Sequence, residues 1–186
     1  MLLSVPKSSY RTRFILNGFS VFKALLVASL LTISSQAWSA SAFFDETFGN
    51  LQEELAAAKE QNKKGIFVFF HMDECPFCHR MRETIMTEPD VIELFKGQFL
   101  TFEVDIEGSN DMVDFDGTKG TAQELSEKKY RVRATPVMIV FDLTGKPILK
   151  YTGPTRTKEE FKLLAQYVVD GSYLTQSFTA YKRQQK

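Results

Sequence analysis

Two cysteines, two histidines and a single tryptophan in 186 residues leave little material for a disulfide scaffold or a multi-ligand metal cage. Acidic residues are missing altogether before Asp45, although the chain carries 23 of them. Four of its 23 basic residues, Lys7, Arg11, Arg13 and Lys23, fall in that acid-free stretch, so the part after position 42 is net −4. A mildly acidic domain without a basic stripe and interleaved aromatics has no electrostatic case for nucleic acid, which is excluded as a partner. There is no internal repeat. No long apolar run is present either: the run Ala24 to Ile33 is too short to cross a bilayer core of about 30 Å as a helix, and Lys23 blocks its extension towards Phe14.

What is there begins with an address. Basic residues, that apolar run, and then small and polar residues ending in Ala40-Ser41-Ala42 form the pattern of a cleaved export signal over residues 1–42, with a retained anchor as the alternative. Export implies a compartment where disulfides form. The hydrophobic content of 44% suits one compact domain with a sizeable core, over 43–170, followed by a C-terminal tail over 171–186.

Periodicity predicts an amphipathic helix from Asp45 to Lys64, with Phe48, Leu51, Leu55 and Ala58 on one face. Ile66 to Phe70 is a continuous apolar run, the pattern of a strand covered on both sides. A helix opens at Pro76 and breaks at Glu88-Pro89, and Val91 to Phe95 adds a further turn or two. Strands follow at Phe99 to Val104, Val137 to Phe141 and Pro147 to Tyr151, with helices at Thr121 to Tyr130 and Thr157 to Val169. This order calls for an α/β fold with a central mixed sheet flanked by helices. The Gly- and Asp-rich stretch from Gly108 to Gly120 reads as a solvated loop. Asp111, Asp114 and Asp116 within it lack the spacing of a calcium loop.

Cys75-Pro76-Phe77-Cys78 follows the first strand directly. Residues three apart at a helix start lie on the same side, Pro76 fits the first helical position, and Cys75 as N-cap would face unpaired backbone amides. That environment favours a thiolate, making Cys75 the nucleophile and Cys78 the resolving thiol. Three other readings of the motif stay open. A structural disulfide would close too small a loop to add much stability. Zinc could draw on His71, Cys75, Cys78 and His79, although no second C-x-x-C exists, and metal is not expected. Cys75 to His79 also matches the C-x-x-C-H string of c-type haem attachment, in a context with no porphyrin pocket.

From about Gly65 to Val169 the chain resembles the thioredoxin superfamily. The resemblance rests on the C-x-x-C after the first long strand, on Ala134-Thr135-Pro136, and on Thr144-Gly145-Lys146 with Tyr151-Thr152-Gly153. The export signal, the sequence Cys75-Pro76-Phe77-Cys78-His79 and the inserted loop from Gly108 to Gly120 are similar to SoxW-type periplasmic thioredoxins. The resemblance implies a thioredoxin fold carrying an extra N-terminal helix and a C-terminal tail. It also implies a cis Thr135–Pro136 bond at a client groove, and thiol:disulfide exchange in the periplasm with no cofactor beyond the reversible Cys75–Cys78 disulfide. The implied direction is reductive, with disulfide-bearing client proteins as substrates and a membrane thiol reductase as electron donor. Disulfide oxidase or isomerase activity of the same fold, and a non-catalytic client-binding module, are the alternatives.

The chain departs from thioredoxin in three places. Glu74 replaces the usual Trp, Pro76-Phe77 replaces Gly-Pro, and Phe69 stands where thioredoxin keeps a buried proton-relaying Asp. Glu74, His71 and His79 are the candidates to replace that relay. Phe77, between the cysteines, is a candidate client contact, and Tyr173, Leu174, Phe178 and Tyr181 are expected to pack the tail on the domain.

Overall fold

The computed structural model describes residues 43–185; the expected export signal lies outside them. The elements run α1 (Leu51–Glu60), β1 (Gly65–His71), α2 (Pro76–Thr84), α3 (Pro89–Gln98), β2 (Phe99–Asp105), β3 (Asp111–Val113), β4 (Lys119–Thr121), α4 (Ala122–Glu124), β5 (Val137–Phe141), β6 (Pro147–Thr152), α5 (Lys158–Val169) and α6 (Phe178–Gln184). A π-helical turn, Leu125–Lys129, continues α4, and a 3-10 turn, Ser172–Leu174, precedes α6.

β1 is buried at every position and lies inside a sheet ordered β2-β1-β5-β6. It runs parallel to β2 and antiparallel to β5, which pairs antiparallel with β6 in the final hairpin. Alternation along β1 sends Phe67 and Phe69 to one face and Ile66, Val68 and Phe70 to the other. The first face packs on α2, α3, α5 and α6 through Met81, Phe95, Phe161 and Tyr181. The second packs on α1, α4 and the π turn through Leu51, Leu55, Ala58, Ala122 and Leu125. This is the expected mixed sheet covered on both sides. Gly65 opens β1 because a Cβ there would stand 2.0 Å from the Phe141 carbonyl oxygen.

Phe43 wedges among the rings of Phe67, Phe95 and Phe161, with centroids 5.3–5.8 Å away. Two residues on, the Asp45 amide donates to the Thr101 carbonyl at 2.7 Å, and the Asp45 carboxylate accepts from the Thr101 amide at 2.9 Å and pairs with Lys96 at 2.8 Å.

Four expectations need correction. The first helix begins at Leu51, not Asp45: Gly49 takes a positive φ of 84° and Asn50 caps the helix by accepting from the amides of Gln52 and Glu53. Phe48 therefore lies outside it, fully exposed. Val91 to Phe95 belongs to a ten-residue helix with Pro89 in its first turn. Residues 108–120 are not simply a solvated loop, because β3 and β4 form an antiparallel hairpin there. In the turn between them Asp114 is 1% exposed, where it pairs with Lys129 and accepts from the Tyr130 hydroxyl. Lys129 also reaches Asp116 at 2.6 Å, so this cluster staples the hairpin to the π turn. The last correction is Leu174, 76% exposed, whereas Tyr181 is buried and Phe178 packs edge-on against Tyr151 and Tyr167.

Candidate active site

β1 delivers the chain to the start of α2, and Cys75 takes the N-cap there in extended backbone geometry with Pro76 in the first turn. The Cys78 amide donates to the Cys75 sulfur at 3.1 Å, and the His79 amide donates to the Cys75 carbonyl at 3.0 Å. Cys75 and Cys78 are bonded as a disulfide with their Cα atoms 5.2 Å apart, the oxidised state of the pair. Cys75 keeps 5% of its surface in solvent and Cys78 none, so an attacking group meets Cys75 first. Phe77, between them, is 56% exposed.

The Thr135–Pro136 bond is cis, as the resemblance implied. Pro136 is buried and its carbonyl accepts from the Gly153 amide at 2.9 Å, which ties this loop to the end of β6. Thr135 is half-buried and its hydroxyl has no hydrogen-bond partner. Across the site, Arg80 of α2 donates to the Thr155 carbonyl at 2.6 Å and anchors the loop that follows β6.

The three relay candidates separate clearly. His79 is exposed and pairs with Glu83 one turn on at 3.0 Å. Glu74 is exposed. His71 is buried at the end of β1, on the face that packs against α2, with its ring stacked on Phe69 at 6.4 Å. Its Nε2 lies 3.9 Å from Glu103, and its buried Nδ1 has no well-aligned hydrogen-bond partner. Burial holds the His71 imidazole below its ordinary pKa, and the Arg82 charge acts the same way, against Glu103, Asp105 and the Met72 backbone. Arg82, one helical turn beyond Cys78, pairs with Glu103 at 2.8 Å and sits 5.7 Å over the Phe69 ring. Sequence reading missed Arg80, Arg82 and Glu103, whose roles exist only once α2 is laid across β1 and β2. Among the described residues no three His, Cys, Asp or Glu side chains converge as a metal site would need.

Residues 51–168, more than half of the chain, match the family model of the thioredoxin-like domain. The chain belongs to that family. No curated protein matches the sequence. Among solved structures, this thioredoxin-like domain is similar to a thioredoxin-fold protein from Helicobacter pylori, at 19% identity over 80% of this chain and 97% of that one, with a TM-score of 0.61. It is also similar to a putative disulphide-isomerase from Bacteroides thetaiotaomicron, at 25% identity over 67% of this chain and 88% of that one, with a TM-score of 0.50. A thioredoxin from Thermus thermophilus gives 24% identity over 63% and 82%, with a TM-score of 0.50.

Proposed function

We propose that this thioredoxin-like protein is an exported thiol:disulfide oxidoreductase of the SoxW type, working reductively on client proteins in the periplasm. The observation that carries the reading is the Cys75–Cys78 disulfide at the head of α2, with Cys75 receiving the Cys78 amide. In the reduced protein that amide and the positive end of α2 face the Cys75 sulfur and favour its thiolate. The thiolate attacks one sulfur of a client disulfide, forming a mixed disulfide and releasing the other client sulfur as a thiolate that takes up a proton. Cys78 then loses its proton and attacks Cys75. The client leaves with two thiols, and the enzyme is left as the disulfide. A dithiol of a membrane reductase returns the pair to the reduced state, and no other cofactor takes part.

Resolution requires a proton to leave Cys78, which has no contact with solvent. His71 is the group best suited to accept it: its lowered pKa leaves it neutral at physiological pH, and it shares the α2-facing side of β1 with Phe69. Glu74 and His79 face solvent instead. Thr135 and Pro136 form the client site with Phe77. The Thr135 N–H and C=O have no partner among the described residues, which suits pairing with an extended client segment.

Reduction of insulin disulfides, followed by turbidity, tests the reading. The wild type should accelerate precipitation and Cys75→Ser should not. Equal rates for the two proteins overturn it.

A further inference from the structure

Beside the cysteines lies an open groove of about 1170 Å³. It starts at Phe77 and Arg80 of α2, passes Tyr151 at the end of β6, and continues between α5 and α6 to Lys182. The α6 wall stands beyond residue 168, where the family match ends, so this groove is built partly from a segment outside the shared domain.

Its charges are unequal in number and in use. Lys162 is paired with Asp90 at 2.9 Å. Glu160 is saturated: it accepts from the Tyr151 hydroxyl at 3.1 Å and the Arg156 amide at 2.8 Å, and pairs with Lys182 of α6. Glu159 stays at the start of α5, held by the Thr157 hydroxyl and backbone. Two guanidinium groups remain without a carboxylate among the described residues. Arg80 spends one hydrogen bond on the Thr155 carbonyl, and Arg156 is exposed near Tyr151 and Lys182. The groove is thus basic in a chain that is net −4 after position 42. Phe77, Tyr151 and Leu163 add apolar surface to the same groove.

We infer that this groove reads the client chain beside the disulfide under attack, and selects segments that carry acidic residues next to an aromatic or aliphatic one. The inference rests on the exchange reading above. A client bonded to Cys75 must lead its flanking residues past the exposed Phe77, which makes that flanking segment the occupant. Guanidinium forks match carboxylates in geometry and charge, and an apolar side chain beside them supplies contact area.

The test uses two peptides that share one sequence and one mixed disulfide to a chromophoric thiol, and differ in carrying Glu or Lys on both sides of a flanking Phe. The reduced protein should cleave the Glu peptide about 5- to 10-fold faster in kcat/KM at low salt, and the gap should shrink as salt screens exposed charges. Arg156→Glu should reverse the preference, and Arg80→Gln should weaken it. Hydroxyethyl disulfide, small and neutral, should react equally with the wild type and Arg156→Glu. Equal rates on the two peptides with normal hydroxyethyl disulfide turnover overturn the inference and leave the exchange reading standing. Failure on all three substrates overturns the exchange reading itself.

Discussion

The Cys78 amide points at the Cys75 sulfur from 3.1 Å, so the residue assigned to resolution in the proposed cycle also holds the one assigned to attack. In the reduced protein this contact and the exposure difference act in the same direction. Iodoacetamide at neutral pH should label Cys75 at least about 10-fold faster than Cys78, as mass spectrometry of digests would read. Cys78→Ser should accumulate covalent mixed disulfides with periplasmic proteins, whereas Cys75→Ser should accumulate few. Faster labelling at Cys78 would reverse the roles.

His71 gives the protein a pH signature. Its folded pKa lies below the ordinary value of 6.5, so between the two the unfolded chain binds a proton that the folded chain refuses. Stability should fall as pH drops through about 6.5 and be unaffected by this group above it. Urea melts between pH 5 and 7.5 should show that slope in the wild type and a shallower one in His71→Gln. The same variant should lengthen the life of the mixed disulfide at pH 7, with Cys75 alkylation unchanged. Unchanged resolution would remove His71 from the proton path.

The tail is held by a specific bond as well as by packing. The Tyr181 hydroxyl donates to Asp170 at 2.7 Å, and burial together with that acceptor pushes the phenol up to about 12. The unfolded phenol ionises near 10, so this contribution is complete below pH 10 and disappears as pH rises towards 12. Absorbance titration at 295 nm should show one late-titrating tyrosine lost in Tyr181→Phe, with stability lower by about 1 kcal/mol at neutral pH.

Asp114 should matter to the hairpin more than to the domain as a whole. Asp114→Ala leaves the Tyr130 hydroxyl without its acceptor, while Lys129 retains Asp116. A loss of about 2 kcal/mol is expected, together with faster amide exchange across β3 and β4 and unchanged exchange in β1. Uniform acceleration through β1 would show that the hairpin is part of the global folding unit.

The central strands and the cysteine motif were legible because β1 and β5 are buried on both faces and announce it as unbroken apolar runs. The cis Thr135–Pro136 bond was reachable only through resemblance, since local sequence does not select the isomer. The hairpin escaped because three-residue strands are too short to show alternation. The true start of α1 was signalled by Asn50 with Glu53 three residues later, a capping pattern that lost out to the apolar spacing of Phe48. His71, Arg82 and Glu103 are each ordinary in sequence and become a cluster only through the pairing of β1 with β2. The groove draws on Arg80, Arg156 and Lys182, more than a hundred positions from end to end, and no local pattern reports such a surface.

The contact between Asp45 and Thr101 has a consequence for how copies of this protein keep apart. β2 is an outer strand, and its free side offers backbone donors and acceptors to any passing extended chain. Asp45 takes both groups of Thr101 near the middle of that strand, its amide filling the carbonyl and its carboxylate the N–H. A charged side chain therefore occupies the place where a foreign strand would have to enter, and Lys96 holds it there. On the opposite border, Pro147 begins β6 and Lys150 lies within it, two residues that discourage strand pairing. Both borders of the sheet thus carry features that oppose edge-to-edge pairing, which suits the exchange proposed above with extended client segments.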